Sequence, residues 1–207
     1  MATIPGTAGN DSLDGTADAD LITGDAGNDT LNGEAGADTV DGGVGADFLY
    51  WDANSGATGV QDIYHGGTGG EGFDDSPYSQ NGGDTLSLGA TGSASGFSVT
   101  LTDGFSGTAT DAYGDILTFD GMERLRTGDG ADTINASAAT GTGYEGIRIH
   151  TGGGDDVITG SAATDYINAG SGNDTIHGGD GNDVIEAGAG DDSVFGEDGN
   201  DGIRWGD

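Results

Sequence analysis

The chain has no cysteine in its 207 residues, so it has neither a disulfide framework nor thiolate chemistry. Basic residues are nearly absent: four arginines stand against 37 acidic residues, giving a formal charge of −33. Phosphate recognition relies on clustered lysine and arginine, so nucleic acid and anionic membranes are disfavoured as partners. No apolar run reaches the length of a membrane span, and Met1-Ala2-Thr3-Ile4-Pro5 has neither a basic nor an apolar signal region. His65, His150 and His177 are widely separated, with no histidine pair at i and i+4, so there is no zinc constellation. A nucleophile elbow and a phosphate-binding loop with lysine are also missing, which argues against an enzyme. Low apolar content with high charge ordinarily implies disorder.

What the chain has instead is glycine, 46 residues of it, arranged with a period. From Thr151 to Arg204 one nine-residue phrase runs six times: TGGGDDVIT, GSAATDYIN, AGSGNDTIH, GGDGNDVIE, AGAGDDSVF, GEDGNDGIR. The sixth position is always aspartate, namely Asp156, Asp165, Asp174, Asp183, Asp192 and Asp201. The eighth is Ile158, Ile167, Ile176, Ile185, Val194 or Ile203. Five more copies run from Gly6 to Tyr50, with Asp11, Asp20, Asp29, Asp38 and Asp47 in the acidic role and Leu13, Ile22, Leu31, Val40 and Leu49 in the aliphatic one. Asp132 and Ile134 hold the same two roles in an isolated copy.

Six glycine-rich residues form a turn, and the last three form a short strand whose period-two alternation sends the aliphatic inward. Such a strand cannot bury its side chain alone, so copies stack into an all-β solenoid around an aliphatic column. A carboxylate beside unobstructed backbone carbonyls is an all-oxygen site for a hard cation, and calcium suits it best. Calcium takes about six to eight oxygens at about 2.4 Å, more than one turn offers, so two turns share each ion. With half a coil per phrase, turns two phrases apart lie about 4.8 Å apart, which is twice a calcium–oxygen distance. The expected pairs are Asp11 with Asp29, Asp20 with Asp38, Asp29 with Asp47, Asp156 with Asp174, Asp165 with Asp183, Asp174 with Asp192, and Asp183 with Asp201. About seven ions or more follow from two turns per ion. Without them the stacked carboxylates repel, so the cation-free chain is expected to be largely unfolded.

The phrase resembles the RTX, or hemolysin-type, calcium-binding nonapeptide repeat, glycine-glycine-any-glycine-any-aspartate-any-aliphatic-any. The resemblance implies a right-handed parallel β-roll with calcium in its turns, export by type I secretion machinery that reads a carboxy-terminal signal, and folding in extracellular calcium. Ala163 and Thr164 depart from the pattern before Asp165, and several copies begin with alanine or threonine; weaker binding is expected in those turns.

Three regions are expected: an N-terminal roll over 1–50, an irregular and wider section over 51–150, and a C-terminal roll over 151–207 that stops within a phrase, as in a piece of a larger secreted protein. In the middle, alternation in Phe97–Thr102 and Ile116–Phe119 predicts strands longer than three residues. The stretch from Trp51 to Ser79 reads as an insertion, with Asp62, His65, Glu71, Asp74 and Asp75 as candidate functional residues. Arg124 and Arg126 are expected to pair with carboxylates. The leading expectation is a non-enzymatic calcium-binding module that folds outside the cell as the scaffold of a larger protein. The alternative is a polysaccharide- or surface-binding module in which Trp51 and Tyr78 meet a glycan.

Overall fold

The computed structural model describes residues 1–51, 59–68, 83–89, 96–103, 106–139 and 145–206. Among them there is no helix, and the strands fall into two sheets that the chain visits in turn. The first sheet holds, in spatial order, β1 (Thr3–Thr7), β3 (Leu21–Asp25), β5 (Thr39–Asp41), β7 (Gln61–His65), β11 (Ile116–Asp120), β10 (Ser106–Thr110), β9 (Ser98–Asp103), β13 (Thr133–Asn135), β15 (Val157–Thr159), β17 (Thr175–His177) and β19 (Ser193–Phe195). The second holds β2 (Ser12–Thr16), β4 (Thr30–Glu34), β6 (Phe48–Trp51), β8 (Thr85–Leu88), β12 (Arg124–Arg126), β14 (Glu145–Gly153), β16 (Thr164–Ser171), β18 (Val184–Ala189) and β20 (Gly202–Arg204). This is an all-β parallel β-roll: each nonapeptide supplies one strand, and residues eighteen apart pair in parallel register, as in Ile158 with Ile176 and Ile176 with Val194.

Inward-pointing residues form the expected aliphatic column. Ile22, Leu31, Val40, Leu49, Ile158, Ile167, Ile176 and Ile185 are all fully buried. Leu13 and Val194, in outer coils, are only partly buried, because stacking has a neighbour on one side to offer and little on the other.

Several strands in both sheets outrun the three residues expected, while β12 and β20 of the second sheet keep to it. β16 and β18 continue into the opening of the next phrase, pairing Gly170 with Gly188 and Ser171 with Ala189. With small residues at these positions no side chain forces the backbone apart, so the parallel ladder persists into the turn. The phrase's first residue consequently faces inward, and Ala169 and Ala187 are fully buried.

The central section departs from the regular roll by a local change of strand direction. β9, β10 and β11 form an antiparallel meander, with Thr108 opposite both Thr100 and Thr118, laid between β7 and β13. The outer strands of the meander still pair in parallel with β7 and β13, so the roll passes through it without losing its sheet. Tyr64, Leu86, Leu117 and Leu125 carry the core across this section.

Replacing Ile176 with alanine should cost about 2–5 kcal/mol in chemical denaturation of the calcium-saturated protein, because the cavity lies between two rigid coils. The neighbouring Thr175→Ala, on the outer face, should stay within about 0.5 kcal/mol.

Candidate metal centre

Each sixth-position aspartate stands directly before a strand, or for Asp165 at the second residue of one, and turns its carboxylate inward beneath the turn. Asp20, Asp29, Asp38, Asp47, Asp132, Asp156, Asp165, Asp174 and Asp183 are no more than 2 % exposed, which is extreme for a carboxylate. Asp11, Asp192 and Asp201, in outer coils, are half-buried. One hydrogen bond recurs between coils: the backbone N–H of each aspartate donates to Oδ1 of the aspartate eighteen residues on. The distances are 2.8 Å for Asp11 to Asp29, Asp20 to Asp38, Asp29 to Asp47 and Asp165 to Asp183. They are 2.9 Å for Asp156 to Asp174 and Asp174 to Asp192, and 3.1 Å for Asp183 to Asp201. All seven expected pairs are therefore brought together, stacked coil on coil, and Asp132 joins them by donating to Asp156 at 2.8 Å.

Acids that the sequence reading did not place in this series extend it through the irregular section. Asp38 donates to Asp62 Oδ1 and Asp47 to Asp84 Oδ1, both at 2.7 Å. Asp84 in turn donates to Glu123 Oε2 at 2.5 Å, and Val60 donates to Asp115 Oδ1 at 2.9 Å. The signal was present outside the nine-residue phase: Asp62-Ile63-Tyr64, Asp84-Thr85-Leu86, Asp115-Ile116-Leu117 and Glu123-Arg124-Leu125 are each an acid two residues before a core side chain. Asp62 thus belongs to the regular framework and not to an inserted loop.

Two other expectations change. Trp51 is 2 % exposed, and its indole N–H donates to Asp62 Oδ2 at 2.6 Å, so it braces an acid and offers no face to a glycan. His65 lies against Asp120, with Nδ1 2.9 Å from Oδ2. Glu71, Asp74, Asp75 and Tyr78 lie outside the described residues.

The second carboxylate oxygen decides what these turns can do. Oδ2 of Asp29, Asp47, Asp156, Asp174 and Asp183 is buried with no hydrogen-bond partner. A buried anionic oxygen with no donor is costly unless a cation meets it. Burial raises the carboxyl of Asp132 to about 7 and those of Asp38, Asp156 and Asp183 to about 6, with neighbouring aspartates adding to the rise. Asp20 goes the other way, held low by the Ala2 N–H first and by the Thr16 hydroxyl next.

These residues fit a hard divalent cation. Among the described residues no three acidic or histidine side chains converge, so most of the oxygens must come from the backbone. The turns are built for that. Gly45 has φ +156°, and a Cβ there would fall 1.6 Å from the Gly27 carbonyl oxygen, so only glycine lets successive turns come so close with their carbonyls bare. Calcium accepts carboxylate and carbonyl oxygens in flexible geometry. When bound it would supply the positive charge that the stacked acids lack. The chain's own residues would align Oδ2 and the carbonyls, and hold Oδ1 fixed through the N–H of the neighbouring coil.

No curated protein matches the chain significantly. The family model of the RTX calcium-binding nonapeptide repeat, four copies of the unit, matches residues 5–40, 14–49, 117–139, 142–176 and 170–203. These matches cover more than half of the sequence and take in both arrays and the isolated copy around Asp132. The chain therefore belongs to the RTX calcium-binding nonapeptide repeat family, and it is a calcium-binding β-roll.

Proposed function

We propose that this chain is a non-enzymatic module that folds when it binds calcium outside the cell, and that it serves as the secretion-coupled folding scaffold of a larger secreted protein. The observation that carries this reading is the set of buried, unpartnered Oδ2 atoms in turns stacked eighteen residues apart. In the low calcium of a cytosol those oxygens oppose the compact state, which keeps the chain open for export by type I secretion machinery. In extracellular calcium the same oxygens become ligands, and binding free energy becomes folding free energy. The ligands are the sixth-position aspartates together with turn carbonyls, each ion being shared by the two turns of a stacked pair. The polysaccharide-binding alternative loses support, because Trp51, one of its two named aromatic contacts, is buried in the framework.

Circular dichroism during a calcium titration tests this directly. A cooperative gain of β-structure with calcium and little with magnesium, which demands a strict octahedron, is the expected outcome. Calcium-independent β-structure at neutral pH contradicts it. Replacing both Asp174 and Asp183 with alanine should remove the cooperativity of the C-terminal array, since each belongs to two pairs. An unchanged midpoint and slope in that variant would dismiss the pairing.

The pH dependence has opposite signs with and without the ion. Asp132, Asp38, Asp156 and Asp183 keep their protons in the cation-free roll up to pH about 6–7, whereas an unfolded aspartate releases its proton near pH about 4. The folded state binds more protons across that window, so the cation-free roll is stabilised by acid and loses that stabilisation as pH rises through 6–7. Calcium needs the ionised form, so its affinity falls as pH drops through the same window. In EDTA, β-structure should increase from pH 7.5 to pH 5.5, while the calcium midpoint should move to higher concentration. A midpoint that does not move would contradict the assignment of these acids as ligands.

A further inference from the structure

The turns are not all alike, and every acid of the series with a buried unpartnered Oδ2 follows a turn of one backbone hand. In the turns that precede Asp29, Asp47, Asp156, Asp174 and Asp183, the second and fourth residues of the phrase both have left-handed φ: Asp25 and Gly27, Gly43 and Gly45, Gly152 and Gly154, Gly170 and Gly172, Gly179 and Gly181. Every one of these five acids has an unpartnered Oδ2; the turns before Asp38, Asp192 and Asp201 share the left-handed pair (Glu34 and Gly36, Gly188 and Gly190, Glu197 and Gly199), but their Oδ2 atoms are not among the buried unpartnered ones. In the turns that precede Asp11, Asp20 and Asp165, neither position is left-handed, and the second residue carries a hydroxyl: Thr7, Thr16 and Ser161.

That hydroxyl residue closes the carboxylate from within. Thr7 donates to Asp11 Oδ2 from its N–H at 2.6 Å and its Oγ1 at 2.8 Å. Thr16 donates to Asp20 Oδ2 from both groups at 2.7 Å. Ser161 gives its N–H to Asp165 Oδ2 at 2.6 Å and its Oγ to Oδ1 at 2.8 Å. Two donors from one residue supply the positive ends of dipoles where the other turns present a bare oxygen.

We propose that the roll contains two kinds of acid turn, a cation-dependent kind centred on Asp29, Asp47, Asp156, Asp174 and Asp183, and a self-closed kind at Asp11, Asp20 and Asp165 in which a threonine or serine stands in for calcium. This rests on the calcium reading above and specifies which turns use it. The self-closed turns hold their coils in register without an ion, so the calcium count is set by the open turns and not by the number of nonapeptides. The departure of Ala163 from the glycine pattern follows as well, since the fourth residue of a self-closed turn has ordinary φ and needs no glycine.

Counting bound calcium on the full chain, by equilibrium dialysis with metal analysis, tests the division. Ser161→Gly with Ala163→Gly rewrites one closed phrase in the open pattern, and Thr16→Gly with Asp18→Gly does so for another. Each double variant is expected to bind one more calcium than the parent, and Asp174→Asn at least one fewer. Asparagine keeps an oxygen to accept the Asp156 N–H, so the stacking bond survives. Circular dichroism matching the parent at saturating calcium establishes that each variant has rolled up. Calcium bound by the parent with no gain in either double variant would overturn the division while leaving the calcium reading intact. A parent that binds no calcium would overturn both.

Discussion

The hydrogen bond from the N–H of one buried aspartate to the carboxylate of the next coil is the constraint on which the rest of the roll depends. It holds the acids of successive coils in register and engages one oxygen of each acceptor, and at Asp29, Asp47, Asp156, Asp174 and Asp183 it leaves the other free. It also places like charges in contact, from Asp11 through Asp29 and Asp47, and from Asp132 through Asp156 and Asp174. The aliphatic column supplies cohesion between coils, but it cannot discharge the acids. A stack that is apolar within and anionic at its turns is a structure whose stability waits on something positive.

The architecture was legible because the phrase has a period, and a period converts directly into spatial neighbours. Position eight gave the column and position six gave the stacked acids, and both lie where an eighteen-residue coil puts them. What was not legible has physical reasons. Asp62, Asp84, Asp115 and Glu123 continue the acid series outside the nonapeptide phase, with a single left-handed glycine (Gly59, Gly83, Gly114, Gly121) one to three residues ahead in place of the repeated glycine-rich phrase. Trp51 looked like a surface aromatic, but it is a core residue whose one donor satisfies Asp62. The first residue of each phrase read as part of a turn, yet in the second sheet the ladder runs through it, and Ala169 and Ala187 are core residues. The antiparallel meander of β9, β10 and β11 could not be told from parallel strands by alternation, which is the same in both.

The exceptions to the repeat are as informative as the rule. A hydroxyl in the second position looks like a small departure from glycine, but it goes with an ordinary backbone hand and gives the acid two donors. Asp132 is an intermediate case: its turn keeps left-handed Gly128 and Gly130, while the Thr127 hydroxyl donates to Oδ2. Sequence variation within the nonapeptide thereby distributes the dependence on calcium unevenly along one roll, with the open turns grouped in the two arrays.

The central claim is that the free oxygens of the stacked turns are metal ligands, and anomalous diffraction from crystals grown with calcium tests it most directly. The account predicts anomalous peaks within about 2.4 Å of Oδ2 of Asp29, Asp47, Asp156, Asp174 and Asp183, lying between turns eighteen residues apart. A well-ordered roll from such crystals with no peak at those oxygens would contradict it.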